Sequence, residues 1–133
     1  MVIITNNPMV RDKFDTLFID GAYADVLASV KKAVIDKHWT LLTHPLSGSL
    51  KPNETYYRTV FLDNTHLQYI DMQSLEYIEA AIRVYDKFMR DKPRPQWPAK
   101  VLADFAFIDF DIAQSTLQRM GQDAARLTKG GGS

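Results

Sequence analysis

The side chains in this sequence best suited to chemistry crowd into one stretch, Thr43 to Thr55, which reads THPLSGSLKPNET. His44 can act as an acid or base, because an imidazole titrates near ~6.5. Ser47-Gly48-Ser49 can present successive backbone N–H groups and two hydroxyls, a concavity of the kind that holds anions. Lys51 adds a point charge, and Glu54 can orient a neighbour. Asn53, and Asn6 from the N-terminal segment, can read a carboxylate or an amide. The candidate ligand-binding set is therefore Asn6, Asn7, Thr43, His44, Ser47, Gly48, Ser49, Lys51, Asn53 and Glu54. Within it, His44 and Glu54 are the catalytic candidates. A competing reading stands beside this one. Ser-Gly-Ser between two prolines is also plain turn chemistry, and His44 before Pro45 also suits a strand end. Neither the G-x-x-x-x-G-K-[ST] nor the G-x-G-x-x-G phosphate motif is present.

Other residues offer less. Asp109 and Asp111 form a spaced carboxylate pair, which can do acid/base work or bind a hard cation. The plainer expectation is that one caps a helix and the other is solvated. His38, His44 and His66 lack the spacing of a zinc site, so no metal is expected, and no cofactor. Trp97, in PRPQWP, is either a docking aromatic or an anchor pinning an extended connector. Phe105, Phe107, Ile108 and Phe110 suit a core.

The elements that must position these residues follow from periodicity. Val2–Thr5, Thr16–Ile19, Thr40–Thr43 and Tyr57–Leu62 are short apolar or β-branched runs bounded by turn residues, and so are strands. Asn7 with Pro8 suits the cap and first residue of a short helix over Met9–Phe14. Tyr23, Val26, Leu27, Val30 and Val34 fall on one face of a helix over Ala22–Lys37. Asp71 opens a helix striped by Leu75, Ile78, Ile82, Tyr85 and Met89. Glu79 with Arg83, and Asp86 with Arg90, are favourable i,i+4 pairs there, and Pro93 stops it. Pro98 starts a further helix, and Asp111 with Gln114 approximates a capping box ahead of Ala113, Thr116, Leu117, Met120 and Ala124. Alternating strands and helices predict an α/β three-layer sandwich. It has about four mostly parallel strands, flanking helices and a helical C-terminus. The fourth strand is a candidate antiparallel edge, since no helix precedes it. One domain over residues 1–128 is expected, with 129–133 (KGGGS) a flexible tail or linker. In such sheets ligands sit beyond the carboxyl ends of the strands. Thr5-Asn6-Asn7, Asp20-Gly21 and Thr43–Thr55 would converge there.

Composition narrows the function. Sixteen basic and sixteen acidic side chains cancel over 133 residues, so the basic excess typical of nucleic-acid binding is missing. No apolar run approaches the ~18 residues of a membrane span. The absence of cysteine removes disulfides, thiolate metal sites, a cysteine nucleophile and thiol redox chemistry, and it fits a reducing cytoplasm. Nothing in the sequence specifies an oligomeric state.

Four blocks carry a resemblance: ITNNP (4–8), LLTHPLSGSLKPNET (41–55), DMQSLEYIEAAI (71–82) and WPAKVLADFAFIDFD (97–111). In this order they resemble the GrdX family, small proteins encoded with the glycine, sarcosine and betaine reductase components of amino-acid-fermenting anaerobic bacteria. The resemblance implies a cytoplasmic protein of a selenium-dependent pathway, with reductase components as possible partners. It implies no activity. The matching positions are Asn6, Asn7, Pro8, Thr43, His44, Pro45, Gly48, Ser49, Lys51, Pro52, Asn53, Glu54 and Thr55. One departure is Tyr56-Tyr57, where the family pattern has a proline followed by a tyrosine. Redox chemistry in that pathway belongs to selenocysteine and cysteine. This chain has neither, so the resemblance implies an accessory role: binding a small anionic metabolite or a reductase component through Thr43–Thr55. A small enzyme using His44, Lys51 and Glu54 on a carboxylated or phosphorylated substrate is the alternative.

Overall fold

A computed structural model describes residues 1–46 and 51–121. Its elements run β1 (Val2–Thr5), α1 (Pro8–Lys13), β2 (Leu17–Phe18), α2 (Tyr23–Lys37), β3 (Thr40–Leu41), β4 (Thr59–Asp63), α3 (Met72–Asp91) and α4 (Ala99–Arg119). The strands form one sheet in the order β2-β1-β4-β3.

The expectation of mostly parallel strands is corrected. β1 and β2 are parallel, whereas β4 runs antiparallel to both β1 and β3. A parallel neighbour requires a crossover that lays an element across a sheet face. No helix or strand lies between β3 and β4 among the described residues, so the chain returns antiparallel. Nor is β4 an edge. It lies between β1 and β3, with Thr5 opposite Thr59 and Leu41 opposite Leu62. The run Val60-Phe61-Leu62 is apolar on both faces, and an interior position buries all three.

The period of two along the strands divides the core. Ile4, Val60 and Leu62 face α2 and α3, packing with Val26, Leu27, Val30, Val34 and Ile78. Ile3 and Phe61 face the other way, against Val10 and Phe14 near α1 and Ala113 and Leu117 of α4. The result is three layers, two helices on each face. Each of these fully buried aliphatic side chains contributes roughly 1.5–3 kcal/mol.

Local signals account for the helix boundaries. Asn7 caps α1, its Oδ1 accepting from Met9 N at 3.0 Å, with Pro8 in the first turn. Asp71 caps α3 through Ser74 N at 3.1 Å. Pro93 disfavours helical backbone at the preceding residue, and Lys92 is extended, at φ −151°. Charge pairing on α3 is tertiary rather than local: Glu79 meets Lys31 of α2 at 3.3 Å. The expected helix start at Asp111 is also corrected. α4 runs unbroken for 21 residues from a Pro98 cap, straight through Asp111 and Gln114. Helix-compatible residues on both sides of Asp111 propagate the helix more cheaply than a new nucleus would form. Phe107, expected in the core, is 57% exposed. Ala106 and Asp109 face inward instead. The expected tail (129–133) and the Ala124 end of the last stripe lie outside the described residues.

Candidate functional site

Two polar regions stand out. In the first, at the carboxyl end of β1, five chain segments meet: 5–7, 21, 44, 56–59 and 106–109. Asn6 Nδ2 donates to the carbonyls of Gly21 and Tyr56, both at 3.0 Å, and its Oδ1 accepts from Arg58 N at 2.8 Å. Asn7 Nδ2 donates to the Ala106 carbonyl (2.8 Å) and to Asp109 Oδ2 (2.9 Å). That same carboxylate oxygen accepts from Thr59 Oγ1 at 2.7 Å, and the Thr59 and Thr5 hydroxyls are 2.8 Å apart. Arg58 Nη2 donates to the His44 carbonyl at 3.2 Å. Asn6-Asn7 and Gly21 meet here as expected, but of the described residues in Thr43–Thr55 only the His44 carbonyl is tied in by a hydrogen bond, through Arg58, while Lys51, Asn53 and Glu54 line a separate cavity, so the expectation of one shared crevice is corrected. Asn6 is 3% exposed and Asn7 0%.

Asp109 is the unexpected member. It is neither a cap nor solvated but buried on the inner face of α4. Burial pushes its carboxyl above the ordinary carboxylate range, against the opposing pull of the Asn7 and Thr59 hydrogen bonds and the Arg58 charge. A cavity of about 10 Å³ adjoins it, bounded by Thr43, Arg58, Thr59 and Thr116. That is the scale of one water, so the junction is no substrate pocket. Tyr23, also buried, has its phenol pushed up by desolvation, offset in part by Arg58.

The second region lies where residues 51–56 fold onto the extended connector after α3. Three hydrogen bonds clamp the two strips: Asn53 Nδ2 to the Lys92 carbonyl (2.8 Å), Arg94 Nη2 to the Pro52 carbonyl (2.5 Å) and Trp97 Nε1 to the Glu54 carbonyl (2.8 Å). Trp97 packs edge-on to Phe105 at 5.6 Å, so it anchors the connector as one of its two expected roles required. Between the strips lies a cavity of about 180 Å³, walled by Lys51, Asn53, Glu54, Lys92, Pro93 and Trp97, with Pro95. Arg94 stands behind it, its guanidinium 5.8–5.9 Å from the rings of Tyr23, Tyr56 and Tyr85. Lys51, Lys92 and Arg94 make no ion pair among the described residues.

The structure thus brings together Lys51, Asn53 and Glu54 in one wall and gathers Asn6 and Asn7 elsewhere. Thr43 is tied to β4, its Oγ1 accepting from Phe61 N at 3.1 Å. His44 is exposed beside Tyr77, ring centroids 5.7 Å apart, and its Nδ1 accepts from Leu46 N at 3.1 Å. Glu54 Oε1 accepts from Lys51 N at 3.2 Å, closing a turn. Ser47, Gly48 and Ser49 lie outside the described residues. Sequence reasoning missed Arg58, Lys92 and Arg94. The signal for the last two was present in DKPRP, where cations alternate with prolines that force an extended backbone. Among the described residues no group of His, Asp and Glu side chains is arranged to hold a metal ion, and no helix is long and apolar enough to cross a membrane.

A family model described as "GrdX-like protein" matches residues 2–118 of the chain. No curated protein and no solved structure matches.

Proposed function

The chain belongs to the GrdX-like protein family, and on that premise we propose that it is a non-catalytic accessory protein of the glycine, sarcosine and betaine reductase system. It would act in the cytoplasm by holding a small anionic metabolite, or a reductase component, through the Thr43–Thr55 connection. One observation carries the binding part of this reading. The far end of the connection does not merely turn; it folds over a second strip of chain and walls a cavity with Lys51, Asn53 and Lys92. Lys51 and Lys92 line this cavity with Glu54 and form no ion pair among the described residues, so two cations against one carboxylate leave positive charge that suits an anion. The absence of cysteine keeps the chain out of thiol electron transfer, which supports an accessory place.

Affinity-tagged protein, expressed in a host that makes the reductase, tests the reading by co-purification and by thermal shift with small anions. Retention of reductase components, or stabilisation by an anion that Lys51→Ala abolishes, is the expected result. Retention of no partner, together with no anion shift, overturns it.

A catalytic reading has one observation in its favour: Lys51 and Glu54 share a cavity wall, a pairing able to hold and polarise a carboxylated or phosphorylated substrate. His44, the expected acid/base, does not line that cavity, which leaves Glu54 as the acid/base candidate. Turnover lost in Glu54→Gln, with folding intact, would establish that reading. Turnover that survives the change removes Glu54 from it.

A further inference from the structure

A second cavity, of about 380 Å³, adjoins the connector, and Trp97 bounds it as well as the first. Its walls also include Tyr56, Met89 of α3 and Leu102 of α4, with Arg94 and Gln96 as polar members. The volume lies within the ~300–1,000 Å³ of small-molecule sites, which are mostly apolar with a few fixed polar groups. Among the described residues no carboxylate lines this one.

Arg94 is the fixed group. Its guanidinium is held by the Pro52 carbonyl, through Nη2, and by the rings of Tyr23, Tyr56 and Tyr85 at 5.8–5.9 Å. A guanidinium carries five N–H donors in one plane. Aromatic rings offset part of its charge, but they do not take the in-plane donors. Nε is buried without a partner, out of reach of any occupant. Nη1 differs: it too makes no hydrogen bond among the described residues, but it keeps accessible surface. Arg94 also forms no ion pair among the described residues. A cation fixed in an apolar wall, with a reachable donor and no counter-ion, suits an acid brought by the occupant.

We propose that this second cavity binds a small monocarboxylic acid with an apolar body, of the kind of an aryl-alkanoic acid. Arg94 Nη1 donates to the carboxylate, and Tyr56, Met89, Trp97 and Leu102 enclose the hydrocarbon part. The site is distinct from the cavity walled by Lys51, Glu54 and Lys92, and it does not rest on the small-anion reading given above. Its ligand differs too, because here the carbon skeleton contributes to affinity alongside the charge.

Calorimetry on the full chain tests it with hydrocinnamate, hydrocinnamamide and acetate. The amide removes the charge, and acetate removes the apolar body. Each should bind at least about tenfold more weakly than hydrocinnamate. Arg94→Gln should bring the acid and its amide to equal affinity. Because Arg94 also clamps Pro52, a second variant covers the case in which that one fails to fold. Gln96→Glu, at an exposed residue, sets a carboxylate on the same cavity. It should weaken hydrocinnamate by about tenfold and spare the amide. Equal binding of acid and amide to the parent overturns the role of Arg94. Acetate binding as tightly as hydrocinnamate overturns the role of the apolar walls. Loss of hydrocinnamate binding in Lys51→Ala but not in Gln96→Glu overturns this site and moves the acid to the first cavity, in favour of the small-anion reading. No binding by any probe at millimolar concentration overturns the site and leaves the accessory role to the co-purification test.

Discussion

The two polar regions use similar residue types to opposite ends. At the sheet end, Asn6, Asn7, Thr59 and Asp109 are almost wholly buried; Asn7 and Thr59 both donate to Asp109, and Asn6 is bonded to the backbone of Gly21, Tyr56 and Arg58. Between loop and connector, Asn53 keeps a buried oxygen without a partner among the described residues, and Lys51 and Lys92 stay exposed at the cavity. The first set is a closed network, and closed networks hold folds together. In the second, Lys51 and Lys92 form no ion pair among the described residues, so its charge is not closed within the protein. An asparagine near a strand end is therefore not a site by type. What matters is whether its hydrogen bonds close within the protein.

The largest test of this contrast is Asn7→Ala. It removes a helix cap, worth ~1 kcal/mol, and two buried donations, so a loss of about 3 kcal/mol in urea unfolding is expected. Trp97→Ala should come next, at about 2 kcal/mol. It breaks the clamp to Glu54 and the Phe105 contact, and it should raise proteolysis within residues 51–56. A cost near zero would mean that the connector is held by something other than Trp97.

Asp109→Asn probes the buried network by pH. The folded state holds the Asp109 proton more tightly than the unfolded chain, because burial raises its pKa. The native state therefore binds more protons, and stability falls as pH climbs from about 4 through the raised value. The Asn variant lacks this penalty. Its stability relative to the parent should rise across that window, measured as the difference between the two urea midpoints at each pH. A flat difference would show that Arg58, Asn7 and Thr59 together offset the burial.

Smallest are Lys51→Ala and Lys92→Ala, each expected within ~0.5 kcal/mol of the parent, as exposed substitutions usually are. A cost comparable to that of Asn7→Ala would collapse the contrast and make the cavity lysines structural.

Much of this was legible along the chain. The Asn7-Pro8 start of α1, the Asp71 cap and the buried stripe of α2 are decided by neighbours within a few residues, and local patterns carry such information. The helix pairs were only half legible. Glu79 had an i+4 partner in Arg83, yet its salt bridge goes to Lys31 across the α2–α3 contact. The place of β4 was not legible. An apolar run on both faces implies burial, but not which strands flank it or in which direction. Asp109 was hidden for the same reason. Its partners are Asn7, 102 residues away, and Thr59, 50 residues away, and no spacing rule reaches so far.

The sequence by itself determined the alternation of elements, the three layers, the absence of thiol chemistry and the crowding of reactive side chains into Thr43–Thr55. These rest on composition and on periods of two and 3.6 residues, which are local. Only the tertiary structure decided that the sheet is mixed with β4 inside it, and that Asn6 and Asn7 are consumed by a closed junction. It likewise decided that Lys51 and Asn53 face Lys92 and Trp97 across one cavity. Those outcomes depend on which distant segments satisfy each other's hydrogen bonds, and that matching is made only when the layers pack.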